Sequence, residues 1–164
     1  MAEGQRYALE AFFGENRLAM TEYIPHCRRL GMVVVHTGPH EATVRLPYRE
    51  ELVGDPARGV VFGGVITTLL DHASGVAVSC SLAELTSIAT LDLRIDYLRA
   101  AEPGCDLTGR AECYKLGAQV AFVRGTAWDR DPGQPFASML ATMMLGASAS
   151  PSGLARLLRD REGA

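Results

Sequence analysis

Asp71 stands in the middle of a stretch, Val61 to Cys80, whose apolar residues recur at three- and four-residue intervals: Val65, Ile66, Leu69, Leu70, Ala73, Val76, Ala77 and Cys80. That period predicts one long helix with a buried face. Aspartate is an indifferent helix former, and its ionised form is costly to place among apolar groups without partners. Chance is therefore a poor account of it. A carboxylate so placed can act as a general base or as a nucleophile. Gly63, eight residues earlier, and Gly64 open the same helix. The first N–H groups of a helix have no intrahelical partner and sit at the positive end of its dipole, and glycine lets a ligand approach the backbone closely. Gly63 and Gly64 are thus candidate donors to an oxygen that gains negative charge during a reaction.

The elements that must position these groups follow from the rest of the chain. Residues from about 5 to 22 form a loose helical pattern interrupted by Gly14 and ended by Pro25. Two extended runs, Leu30 to His36 and Glu41 to Leu46, flank turn chemistry at Thr37-Gly38-Pro39-His40 and predict a hairpin. Pro47 to Gly59 reads as an ordered loop leading to the glycine pair. After the helix come the strand-like runs Ile88 to Leu98, Asp106 to Tyr114 and Gln119 to Trp128, then a more ambiguous run from Phe136 to Leu145. In the first, Leu91, Leu93, Ile95 and Tyr97 alternate with Asp92, Arg94 and Asp96, which predicts one dry and one wet face. Residues 146–164 offer a short amphipathic helix or a tail. The expected class is α+β, an antiparallel sheet of five or six strands wrapped round one helix, in a single domain over residues 1–164 with its core at about 30–145. A helix apolar on more than one side and covered by one sheet still exposes surface, so a homodimer is expected.

Composition bounds the function. Sixteen basic and nineteen acidic residues leave a formal charge of −3 with no basic block, which lacks the footprint of a nucleic-acid binder. No apolar run approaches the roughly 20 residues of a membrane span, and the first residues lack the order of a secretion signal; a cytoplasmic protein is expected. Cys27, Cys80, Cys105 and Cys113 have no metal-type spacing and read as reduced thiols, most of them buried. No metal or organic cofactor is expected.

Leu46-Pro47-Tyr48, Leu52-Val53-Gly54-Asp55-Pro56, Phe62-Gly63-Gly64, Leu69-Leu70-Asp71 and the run from Thr90 to Arg99 together resemble the hotdog-fold acyl-CoA thioesterases of the phenylacetate-pathway (PaaI) type. The resemblance covers roughly Leu30 to Leu145. In that family His-Gly-Gly is followed, with six residues between, by Asp on the central helix, and then by a strand opening with Ser or Thr. It implies a sheet curled round the helix, a homodimer whose sheets join, often a homotetramer, and hydrolysis of a small or medium acyl-CoA. Phe62 replaces the usual histidine and Asp55 the usual asparagine.

By this resemblance Asp71 is the base or nucleophile, Gly63 and Gly64 the oxyanion donors, and Thr90 the hydroxyl that orients Asp71 or the water. Asp55 and Phe62 would border the substrate, and Arg99 and Lys115 would meet the phosphates of CoA. The spacing adds a constraint. Eight residues of helix span roughly 12 Å, whereas donor and base must each lie within about 3 Å of the reacting atoms. One helix cannot serve one substrate at both points. Two helices paired antiparallel across a dimer can, which predicts a composite site. His72 follows Asp71 but points about 100° away, and packing is its expected role. Two other readings are an acyl-CoA binding or sensing protein without turnover, and a hotdog hydratase or dehydratase using Asp71 with His72.

Overall fold

In the computed structural model the described residues are 20–146, apart from 22 and 85. The helical expectation at about 5–22 and the C-terminal one at 146–164 lie almost wholly outside them.

Met20 and Thr21 are helical and the chain turns before Pro25, which also begins a further helix, α1 (Pro25–Leu30), at a position where its missing N–H is no loss. Gly31 closes α1 at φ 73°, donating its N–H to the carbonyl of Arg28. The first strand is accordingly displaced from the expected 30–36 to β1 (Val33–Gly38). It turns through Pro39 and His40 into β2 (Glu41–Leu46), with His40 at φ 65°. The expected loop at 47–59 contains a 3-10 turn (Glu50–Leu52) and most of a small hairpin, β3 (Val53–Asp55) with β4 (Val60–Val61). This hairpin delivers the chain to α2 (Gly63–Ser81), the long helix. Four strands follow: β5 (Ile88–Tyr97), β6 (Leu107–Leu116), β7 (Val120–Trp128) and β8 (Ala137–Leu145). The ambiguous run at 136–145 is thus a strand.

Six strands form one antiparallel sheet in the order β1-β2-β6-β7-β8-β5. It lies across α2, whose Leu69, Leu70, Ala73, Ala77 and Val78 are fully buried. The facing sheet positions are small: Ala42, Ala111, Ala121, Ala127 and Ala137 are also fully buried. At Gly109 a Cβ would come within 3.1 Å of Leu69 Cγ, so this strand accepts the helix only because no side chain stands there. Larger residues, Val44, Leu46, Leu107, Val123, Phe136 and Met143, fill the space to either side.

β5 differs from expectation. Its alternation is present and Leu93 and Ile95 pack against the core, but no strand lies beyond it among the described residues and the ends of that face are wet: Leu91 is 54% and Tyr97 51% exposed. A bulge between Thr90 and Asp92 shifts its register against β8. Two segments, at 99–102 and 129–130, are tied by Asp129. Its carboxylate accepts two hydrogen bonds from the Arg99 guanidinium, at 2.6 and 2.8 Å, and others from the N–H groups of Glu102 and Arg130. With its side chain 4% exposed, Asp129 is well screened from water, and Arg99 holds its carboxyl far below the usual carboxylate range.

A group with a depressed pKa stabilises the fold above its unfolded-state pKa and loses that effect as the pH falls towards the folded one. Asp129→Asn is therefore expected to destabilise the protein by about 1–3 kcal/mol at neutral pH. In urea denaturation the gap from wild type should close below about pH 4; a gap that stays constant into acid would contradict the assignment.

Candidate active site

α2 begins without a side-chain cap. The N–H of Val65 is taken by the carbonyl of Phe62 at 3.0 Å, whereas those of Gly63 and Gly64 have no partner among the described residues. Two unfilled donors therefore stand at the positive end of a 19-residue helix. The turn is held from below: Tyr97 Oη and Thr67 Oγ1 both donate to the carbonyl of Gly63, at 3.0 and 3.1 Å. Tyr97 was read from sequence only as an alternating strand residue. The Phe62 ring lies over the turn, 61% exposed. A Cβ at Gly64 would fall 2.5 Å from Phe62 Cε1, and one at Gly54 would fall 2.9 Å from Phe62 Cβ. The glycines here make room for the ring as well as for a ligand.

Two turns along α2, Asp71 is half-buried, and Thr90 Oγ1 donates to its Oδ1 at 2.7 Å. The bulge after Thr90 is what turns β5 locally at this point. Asp71 and Thr90 line a cavity of about 400 Å³, with apolar walls from Met20, Ile24, Cys27, Val76, Ile88 and Met143. His72 also borders it but is otherwise buried, and burial pushes its pKa down to about 4 against the opposing pull of the Asp71 charge. It is neutral at physiological pH. Its Nε2 is buried and unpartnered among the described residues.

Gly63, Gly64, Asp55, Phe62, Arg99 and Lys115 do not line this cavity. The structure thus joins Asp71 with Thr90 but leaves the glycine pair apart from them within one chain. Asp55 Oδ1 accepts from the N–H of Ala57, and its other oxygen pairs loosely with Arg58 at 3.9 Å. Arg99 is committed to Asp129 and to the carbonyls of Ala100 and Gln134. Lys115 is exposed, with its ammonium 5.7 Å from the centre of the Phe122 ring. Asp96 pairs with Arg94 at 3.0 Å. Sequence reasoning missed the contribution of residues 20–27 to the cavity, although Pro25 as a helix opener was a usable signal.

With this geometry in place, comparison with known proteins is direct. The thioesterase superfamily profile matches residues 58–136. The medium/long-chain acyl-CoA thioesterase YigI of Escherichia coli is 30% identical over 137 residues, covering 76% of this chain and 87% of YigI. A relative from Halobacterium salinarum is 37% identical over 94 residues, and the match spans 61% of its length. The crystal structure of a Pseudomonas aeruginosa protein is 42% identical, with a TM-score of 0.71 over 79% of this chain and 96% of that one. The fold is also that of Escherichia coli PaaI, at a TM-score of 0.73 and 19% identity over 84% and 96% of the two chains. The chain belongs to the thioesterase superfamily and has its hotdog fold. Among the described residues, no helix is long and apolar enough to cross a membrane, and no cluster of three or more His, Cys, Asp or Glu is arranged to hold a metal ion.

All four cysteines are free. Burial, reinforced by the Asp71 charge, pushes the Cys27 thiol up to about 11, so at pH 8 only about one molecule in a thousand carries the thiolate there. Cys105, half-exposed and 3.3 Å from Arg130 Nε, is expected to react first with a thiol-specific disulfide reagent in the folded protein, with Cys27 reacting only on denaturation. Peptide mapping of the first-labelled site checks this.

Proposed function

We propose that this protein is an acyl-CoA thioesterase that hydrolyses small or medium acyl-CoAs, aliphatic or aromatic, to the free acid and CoA. The observation that carries the reading is the Thr90–Asp71 hydrogen bond in a cavity of acyl size, on a helix whose first two N–H groups stand unfilled. The activity of YigI, a medium/long-chain acyl-CoA thioesterase, supports an acyl-CoA substrate. Four free thiols suit a reducing compartment, and we assign the enzyme to the cytoplasm.

The reaction follows from the groups present. The thioester carbonyl oxygen accepts from the Gly63 and Gly64 N–H groups of one protomer, and these bonds strengthen as the oxygen becomes an oxyanion. Asp71 of a second copy takes a proton from water as the water oxygen adds to the carbonyl carbon, or adds to that carbon itself to give a mixed anhydride that water then opens. Collapse expels the thiolate of CoA, which recovers a proton. On either course Asp71 must be ionised and correctly turned, and the Thr90 hydroxyl serves both needs by donating to Oδ1.

A dimer supplies the second copy. β5 has no strand beyond it among the described residues, and Leu91, Tyr97 and Leu98 beside that edge are more than half exposed. A ten-residue edge bearing apolar side chains is what a joined sheet would cover. Further pairing of dimers into a tetramer belongs to the same reading. With Arg99 engaged elsewhere, Lys115 is the cation we assign to the CoA phosphates.

Free-thiol release from an acyl-CoA panel tests the reaction. Asp71→Asn is expected to lower kcat by about 10²–10⁴, and Thr90→Val by roughly 10–100-fold with KM little changed. Turnover that survives in Asp71→Asn would overturn the assignment; CoA-ester binding without turnover in wild type would leave a binding protein instead.

The composite site has its own test. Gly63→Pro deletes one donor at the first helical position, where Phe62 already has the ψ of 132° that a following proline favours; its Cβ would stand 3.3 Å from Tyr97 Oη, so a thermal melt accompanies the assay. It should cost roughly 10²–10³ in kcat. Refolding Asp71→Asn and Gly63→Pro together should restore roughly a quarter of wild-type activity, since half of the dimers would be mixed and each would hold one intact site. No recovery would mean that both groups act within one chain.

A further inference from the structure

We infer that the segment around α1 is the acyl-length gauge of this enzyme: it walls the Asp71 cavity so that the enzyme takes straight acyl chains of roughly eight to twelve carbons. This rests on the thioesterase reading and goes beyond it.

Three of the apolar cavity walls, Met20, Ile24 and Cys27, come from the N-terminal side of β1. They lie outside residues 58–136, the part that matches the superfamily profile. The superfamily core therefore supplies the carboxylate and its hydroxyl, while a segment before it supplies the opposing wall. Met20 and Cys27 are 5% and 3% exposed, so this wall is packed into the core and fixed in place. Cys27 is also close enough to Asp71 to feel its charge. An acyl group whose carbonyl carbon meets Asp71 must run along these side chains, with Val76 and Met143 opposite. The volume sets the length. A methylene occupies on the order of 30 Å³, about the share of a water molecule in the liquid, and the cavity holds about 400 Å³. Roughly ten to twelve such groups fit once imperfect filling is allowed. Burying each methylene favours binding about fourfold until the space is full.

Two substitutions narrow the cavity from different positions. Cys27→Phe adds five heavy atoms at a buried wall position, which removes room for about four methylenes. Ile24→Trp enlarges a residue that is 38% exposed and so burdens the fold less. The experiment measures kcat/KM for saturated acyl-CoAs from two to sixteen carbons with the wild type and both variants. Circular dichroism and thermal melts confirm that each variant is folded. Wild type is expected to gain about fourfold per methylene and to level off at eight to twelve carbons. In at least one folded variant the plateau should move down by about four carbons, with kcat/KM falling by a larger factor for long acyl chains than for short ones. An unchanged plateau in both folded variants, or an equal loss at every length, overturns the proposal.

The same series as non-hydrolysable alkyl-CoA thioethers, titrated by calorimetry, separates this proposal from the reading it rests on. If no ester is hydrolysed but the length dependence of Kd shifts in the variants, the hydrolase reading fails and the gauge stands. If Kd does not depend on chain length in wild type, the gauge fails whatever the turnover.

Discussion

The close seating of α2 on the sheet is the contact on which the rest of the molecule depends. Helix and sheet can approach only because the sheet presents alanines and one glycine where it meets Leu69 and Leu70. That approach fixes the height of Asp71 relative to β5 and allows the Thr90 hydroxyl to reach it at 2.7 Å. It also directs the first turn of the helix towards Tyr97, whose hydroxyl then secures Gly63. A larger residue at Gly109 would lift the helix and disturb both ends of its chemistry at once, at a position with no direct part in it. Core packing and site geometry are here the same constraint.

Much of this was legible in the sequence because it rests on period and spacing. The 3.6-residue repeat from Val65 to Cys80 gave the helix, and the strand runs and turn residues gave the sheet. The distance between Gly63 and Asp71 was computable from helix rise alone, and the structure keeps the two apart within one chain. Three features escaped for physical reasons. Pro25 can both end one helix and begin another, and only the tertiary placement of α1 decides. The alternation in β5 reports which side chains share a face, but says nothing of whether another strand covers it; Leu91 and Tyr97 are exposed because β5 is an edge. The pairing of Arg99 with Asp129 joins residues thirty positions apart, and no local pattern encodes it.

Charge is distributed with similar economy. The ion pair of Arg99 with Asp129 is well removed in role from catalysis and pins two chain segments together. On the outer face of the sheet Glu41 pairs with Arg110, and Glu112 with Arg124, across neighbouring strands. These exposed pairs contribute little each to stability; the backbone ladders set which strands sit side by side. The cavity, by contrast, is lined by one carboxylate, Asp71, and two histidines, of which His72 is kept neutral by burial.

One feature of α2 reaches further than its local role. Thr67, Thr68, Ser74, Ser79 and Ser81 each return their hydroxyl hydrogen to a carbonyl one turn back. A hydroxyl that brings its own acceptor behaves, to its neighbours, much like a small apolar group. None of these five hydroxyls is therefore stranded where the helix is enclosed by its sheet, and this is why so hydroxyl-rich a segment can serve as the central axis of the fold.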